Sequence, residues 1–240
     1  MSKREELREK RRRSQQRNLL IGALIIVGIA VVIIGIVIYR TQALVGDIVM
    51  AQVLDYPPAQ DETLGDPNAP VRIDEFADFQ CPACRQFHET TMEQVLETYI
   101  KTGQVYFVFH NYPFIDSNAP GNESQDAAMA GLCAAEQGQF WPYHDMLFAN
   151  QIGENVGSFS RPRLEAIAER LGLDPSFDSC LSEGRYRDQI LNDITLATQS
   201  EVRSTPSFLI NGQLVVGAQP FSAMAPLIDS AIQSGTPATQ

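Results

Sequence analysis

The longest apolar run in the chain is LLIGALIIVGIAVVIIGIVIY, Leu19 to Tyr39, 21 residues without a charge. As a helix rising 1.5 Å per residue it spans about 31 Å, which matches a hydrocarbon core of about 30 Å. Beyond it the periods shorten. VRIDEFADF, Val71 to Phe79, alternates and predicts a strand. Cys84, Phe87, His88, Met92, Val95, Leu96 and Tyr99 then recur at steps of three and four, which predicts one buried helical face. Pro82 suits the first position of that helix, where its missing N–H is not needed. QVYFVFHNY, Gln104 to Tyr112, predicts a second strand. From about Glu123 to Glu201 the pattern is helical, punctuated by Gly138, Pro142, Gly153, Gly157 and Gly172. Pro206 to Ile210 reads as a strand, Asn211-Gly212 as a tight hairpin turn, and Gln213 to Val216 as the returning strand. Leu227, Ile228, Ala231 and Ile232 mark a last helix, with Pro226 expected in its first turn. The order is strand, helix, strand, a block of helices, hairpin, helix, an α/β arrangement. Residues 40–70 hold no sustained period and include Pro57-Pro58 and Asp66-Pro67, so they read as a linker to a domain over 71–240.

Charge sharpens the first of these readings. Residues 1–40 carry nine Lys/Arg against three Glu, a net +6; the remaining 200 carry nine against twenty-six Asp/Glu, a net −17. The basic segment 1–18 is expected to stay cytoplasmic, with the span Leu19–Tyr39 as an uncleaved single-pass anchor and everything after Arg40 outside. A cleaved signal peptide would have a shorter apolar region followed by a small-residue cleavage site. Thr41-Gln42-Ala43 matches such a site poorly. So acidic an outer domain excludes a nucleic-acid partner, because phosphate contacts need clustered Lys and Arg.

Four cysteines in an exported domain allow three disulfide pairings. Cys81 and Cys84 are separated by two residues and open the helix that follows the first strand. A sulfur at that point meets free backbone N–H groups and the positive end of the helix dipole, so its thiolate is favoured. Cys81 is then the candidate nucleophile, and Cys84, one turn inward, the resolving thiol. No metal site is expected. Zinc commonly takes two close ligand pairs, whereas Cys133 and Cys180 are isolated and His88, His110 and His144 follow no ligand spacing. Arg85 stands where c-type haem attachment needs His. An inert structural bridge stays open at this level.

The run LGDPNAPVRIDEFADFQCPACRQFH resembles the active-site region of the DsbA-like thiol–disulfide oxidoreductases, which have a thioredoxin-like fold with an inserted helical domain. EVRSTPSFLINGQ, Glu201 to Gln213, resembles their loop in which Thr-Pro precedes a strand and an Asn-Gly turn. GLCAAEQGQFWPYHDMLFANQ, Gly131 to Gln151, resembles the insert of membrane-anchored members. The resemblance covers about residues 64–235 and places the insert at about 120–200. It implies that Cys81 is the nucleophile and Cys84 the resolving thiol. It also implies that Pro206 follows a cis bond facing them, and that Thr205 presents its backbone to an extended substrate. Glu75 would be a buried acid that relays the Cys84 proton, and Cys133 would pair with Cys180 as a structural disulfide. No cofactor is implied, since the cysteines carry the electrons. Exported proteins with cysteines would be the substrates, and a membrane quinone-linked protein the partner that reoxidises the pair.

One position departs from the pattern. Strongly oxidising members carry His where this chain has Ala83, and that leaves the direction of electron flow open. A dithiol oxidase is the leading expectation. A reductase or isomerase using the same residues is the alternative. A tethered chaperone or metal carrier without redox turnover is a third, since fold alone does not fix function.

Overall fold

The computed structural model describes residues 19–36, 45–117 and 120–234. The basic segment 1–18, residues 37–39 of the expected span, 40–44 of the expected linker and the last six residues lie outside the described residues. The chain divides into two units, 1–46 and 47–240. In the first, α1 (Leu19–Ile36) has a mean hydropathy of 3.2 and is long and apolar enough to cross a membrane.

The second unit is built on a five-stranded sheet. Its strands are β1 (Thr63–Leu64), β2 (Val71–Ala77), β3 (Val105–Asn111), β4 (Ser207–Ile210) and β5 (Gln213–Val216), in the order β1-β3-β2-β4-β5. β2 and β3 are parallel, and every other pair is antiparallel. A parallel pair needs a crossover, and helical residues 82–100 supply it. They comprise α2 (Pro82–Phe87), α3 (Glu93–Val95) and two wider turns, His88–Met92 and Leu96–Ile100. Between β3 and β4 the chain inserts five helices: α4 (Glu123–Ala135), α5 (Phe140–Ala149), α6 (Arg161–Arg170), α7 (Ser176–Glu183) and α8 (Arg187–Gln199). α9 (Phe221–Ser234) closes the chain.

Strand alternation divides the sheet's surroundings in two. Ile73, Glu75 and Ala77 of β2 align with Phe107 and Phe109 of β3 and with Phe208 and Ile210 of β4. The apolar members of this set belong to the main core. Phe76, on the opposite face, packs with Ala197 of α8 and with Val202. His110 stacks on Phe76 with ring centroids 4.8 Å apart, and its ring nitrogens meet Asp193 at 2.9 Å and Asp74 at 2.8 Å. That contact fixes α8 to the sheet. Cys133 of α4 and Cys180 of α7 are joined by a disulfide, with both residues fully buried.

Two expectations are corrected. Residues 48–64 are part of the folded unit. Ile48, Ala51, Leu54 and Tyr56 pack against the core, Leu64 is buried in it, and β1 pairs with β3. This arm escapes a periodicity test because α5 holds it through its backbone. Asn150 accepts from the Val49 N–H at 2.8 Å and donates to the Val49 carbonyl at 2.8 Å. Asp145 takes the Leu54 N–H at 3.1 Å. The second correction concerns Pro226, which lies within α9 beyond its first turn. The helix starts earlier than expected because the Pro220 carbonyl accepts from the N–H groups of Ala223 and Met224.

Candidate active site

β2 ends at Ala77, and Asp78 reverses the chain by accepting the Gln80 N–H at 2.8 Å through its side chain and the Cys81 N–H at 2.9 Å through its carbonyl. Cys81 is the N-cap of α2 in an extended conformation, with Pro82 next. Its sulfur therefore sits among N–H groups that the helix leaves unpaired. Cys81 is 8% exposed and Cys84 is fully buried; both are free thiols.

The Thr205–Pro206 bond is cis, and the Cys81 thiol donates to the Thr205 carbonyl at 3.3 Å. The sulfurs are electrostatically unequal. A hydrogen bond from the Cys84 thiol, assisted by the Thr205 side chain and the backbone of Cys84 and Ala83, lowers the Cys81 pKa to about 6 against the opposing effect of burial. Burial raises Cys84 well above the ordinary thiol range, and the charges of Cys81 and Glu75 add to it. Glu75, 4% exposed on the core face of β2, is raised to about 8 by burial and then by Cys81. The acidic outer thiol of Cys81, the inner thiol of Cys84, the buried acid and the cis bond thus converge from α2, β2 and the start of β4. Cys133 and Cys180 are separate from this group and bonded to each other.

The helical insert also reaches the site, by contacts that the sequence does not reveal. The Arg85 guanidinium donates to the Gln151 carbonyl at 3.1 Å, and the Gln151 side chain donates to the Phe79 carbonyl at 2.7 Å. Gln80, fully buried, accepts the Asn155 N–H at 2.6 Å and donates to Ser124 at 2.8 Å. Residues 151–155 are therefore held against both shoulders of the Cys81–Cys84 segment.

His88 and His144, given no role by sequence, meet at Asp145. His88 Nε2 is 3.0 Å and His144 Nδ1 3.1 Å from Asp145 Oδ1. Burial and the neighbouring His88 lower His144 to about 4, while the two histidines hold the Asp145 carboxyl far below its ordinary range. The available signal was weak: His88 on the buried helical face, and the His-Asp pair in FWPYHDMLFANQ.

The profile of a family described as Thioredoxin matches residues 59–230. The chain is 30% identical over 179 residues to a probable disulfide bond formation protein D of Bacillus cereus, covering 72% of this chain and 79% of that one. It superposes on the crystal structure of alpha-DsbA1 from Wolbachia pipientis with a TM-score of 0.63 and 25% identity, over 75% of this chain and 95% of that one. The chain belongs to the thioredoxin family, in its DsbA-like branch. A Na(+)/H(+) antiporter NhaA 3 of Salinispora tropica is also similar, 33% identical over 198 residues that make up 81% of this chain. The matched segment is only 28% of that antiporter's length, and the same share holds for an antiporter of Salinispora arenicola. As a DsbA-like protein, the chain sets its paired cysteines at a helix start opposite a cis-proline, with a helical insert between β3 and β4.

Proposed function

We propose that this protein is a membrane-anchored thiol–disulfide oxidoreductase whose catalytic unit faces the extracytoplasmic space and introduces disulfides into exported proteins. The observation that carries the reading is the pairing of an acidic Cys81, 3.3 Å from the carbonyl before a cis-proline, with a buried Cys84 whose charged form is disfavoured. α1 acts as the anchor, and the basic residues before it keep that end cytoplasmic.

The working form is the Cys81–Cys84 disulfide. A substrate thiolate attacks Cys81, forming a mixed disulfide and releasing Cys84 as a thiolate. The environment of Cys84 disfavours that charge, so Glu75, protonated up to about pH 8, supplies a proton. A second substrate thiolate then attacks the substrate sulfur of the mixed disulfide, and Cys81 leaves. Its pKa of about 6 makes it a good leaving group at neutral pH. The substrate has lost two electrons and, in forming its two thiolates, two protons; the enzyme is left reduced, with Cys81 a thiolate at neutral pH, Cys84 a thiol, and Glu75 regaining its proton from solvent. The Thr205 backbone, beside Cys81, aligns the extended substrate chain by strand-like hydrogen bonds. A membrane quinone-linked partner takes the electrons away and restores the disulfide.

The test is a single turnover. The oxidised full chain, mixed in equal amount with a peptide carrying two cysteines, is expected to convert the peptide to its disulfide form by mass spectrometry. Cys81→Ser is expected to abolish the conversion. A peptide left reduced by the oxidised wild-type chain would refute the reading, as would a Cys81→Ser variant that still oxidises it.

A further inference from the structure

Exchange at Cys81 uses neither His88 nor His144, yet both present a nitrogen to one oxygen. Asp145 Oδ1 faces His88 Nε2 at 3.0 Å, His144 Nδ1 at 3.1 Å and the Tyr56 hydroxyl at 2.7 Å, while Oδ2 takes the Leu54 N–H at 3.1 Å. Three groups crowd one oxygen, although a carboxylate has about four lone-pair sites shared over two. The crowding has another use. The two imidazole nitrogens and a carboxylate oxygen all lie within 4.8 Å of one another. Ligand atoms on tetrahedral zinc, each at about 2.0–2.1 Å from the metal, stand about 3.3 Å apart. The two nitrogen–oxygen spacings, 3.0 and 3.1 Å, are close to that already.

We propose that His88, His144 and Asp145 form a binding site for a zinc-like divalent cation. The ligand set is two imidazoles and one carboxylate, a composition zinc accepts with a fourth position left to water or another oxygen. A cavity of about 270 Å³ supplies that position and the way in. His88 and Asp145 line it, together with Glu89 and Glu93, whose carboxylates attract a cation. Tyr56 of the arm donates to the same oxygen and holds the Asp145 carboxylate in place. A neutral histidine carries one ring proton. In the hydrogen-bonded arrangement it sits on the nitrogen facing Asp145. On metal binding it moves to the other ring nitrogen, which frees the lone pair for the cation.

The site lies away from the paired cysteines in role but not in connectivity. His88 is on the helical stretch that Cys81 caps, and His144 and Asp145 are on α5. A bound cation would therefore tie the cysteine-bearing helix to the helical insert. It would do so whether or not the exchange reaction proposed above is correct.

The experiment uses the full chain in detergent, stripped by a chelator, with Cys81 and Cys84 oxidised so that their thiolates do not compete. Zinc chloride is titrated against a chromophoric chelator. One equivalent is expected to bind with a submicromolar Kd, and His88→Gln and His144→Gln are each expected to weaken it at least 100-fold. Because His88 is the less buried histidine, His88→Gln keeps the test decisive if His144→Gln does not fold. The absence of stoichiometric zinc in the wild-type chain overturns the proposal, leaving a hydrogen-bonded cluster only. Binding that His88→Gln leaves unchanged overturns it equally.

Discussion

The Cys81 thiol and the Thr205 carbonyl are 3.3 Å apart although 124 positions separate them in the chain. The loop before β4 thus lies over the start of α2, and the acidity of Cys81 depends on both. Iodoacetamide alkylation followed by peptide mapping should show Cys81 reacting with a midpoint near pH 6, while Cys84 stays protected until far higher pH. Thr205→Ala removes one stabilising contact and is expected to move the Cys81 midpoint upward. Equal midpoints for the two cysteines would contradict the assignment of roles.

Ala83 lies between the cysteines and offers the Cys81 thiolate only its backbone. Ala83→His adds an imidazole there. It is expected to lower the Cys81 pKa further and to raise the reduction potential, by about 30 mV for each unit of pKa. Equilibration of the wild-type pair in glutathione buffers should give a value between those of DsbA, about −120 mV, and thioredoxin, about −270 mV. A wild-type potential at the thioredoxin end would turn the electron flow round and favour the reductase reading.

Glu75 is an acid whose folded-state pKa, about 8, lies above its ordinary 4.5. Between those values the folded chain holds a proton that the unfolded chain has lost, so stability falls as pH rises through the window. Glu75→Gln removes the penalty. The reduced variant is expected to match the wild type below pH 4.5 and to exceed it by about 3 kcal/mol at pH 7 in urea unfolding. It should also slow release of Cys84 in single-turnover exchange. A variant less stable than the wild type at pH 7 would show that Glu75 is not a buried neutral acid.

His110 works in the opposite sense. Hydrogen bonds to Asp193 and Asp74 overcome burial and raise its pKa from 6.5 to about 9. The stability it contributes is fully present below pH 6.5 and is lost as pH rises through about 9. His110→Gln removes the cation shared by the half-buried Asp193 and the buried Asp74, which keeps Arg72 at 2.6 Å, and is expected to cost about 3 kcal/mol at pH 6, with a smaller difference at pH 10. Urea melts at the two pH values measure it.

Much of this fold is legible in the sequence because local chemistry decides it. β2, β3 and the β4–β5 hairpin follow from alternation and from Asn211-Gly212, whose positive φ angles of 46° and 84° suit a tight turn. The placing of Cys81 at a helix start, with Cys84 one turn inward, follows from Cys-x-x-Cys and Pro82. The cis bond, the burial of Glu75 and the Cys133–Cys180 pairing are implied by the resemblance, because no residue pattern expresses them. The arm over residues 48–64 is hidden for another reason: it is held by Asp145 and Asn150 through backbone hydrogen bonds, which impose no period on its side chains. The meetings of His88 with His144 and of His110 with Asp74 and Asp193 depend on tertiary packing alone.

The two cysteine pairs also differ in reach. Cys133 and Cys180 close a separation of 47 residues, and losing the bond by a double Ser substitution is expected to cost about 4 kcal/mol on the chain-entropy account, read by the drop in urea midpoint. Since both residues are fully buried in the finished insert, no external thiol can approach that sulfur pair without unfolding it. The bond is therefore expected to form before α4 and α7 close over it. Each new molecule is in that sense a client for thiol oxidation before its own pair at the start of α2 is assembled. Its oxidant then has to reach the chain before the insert folds, whether that oxidant is an older copy of this protein or another agent.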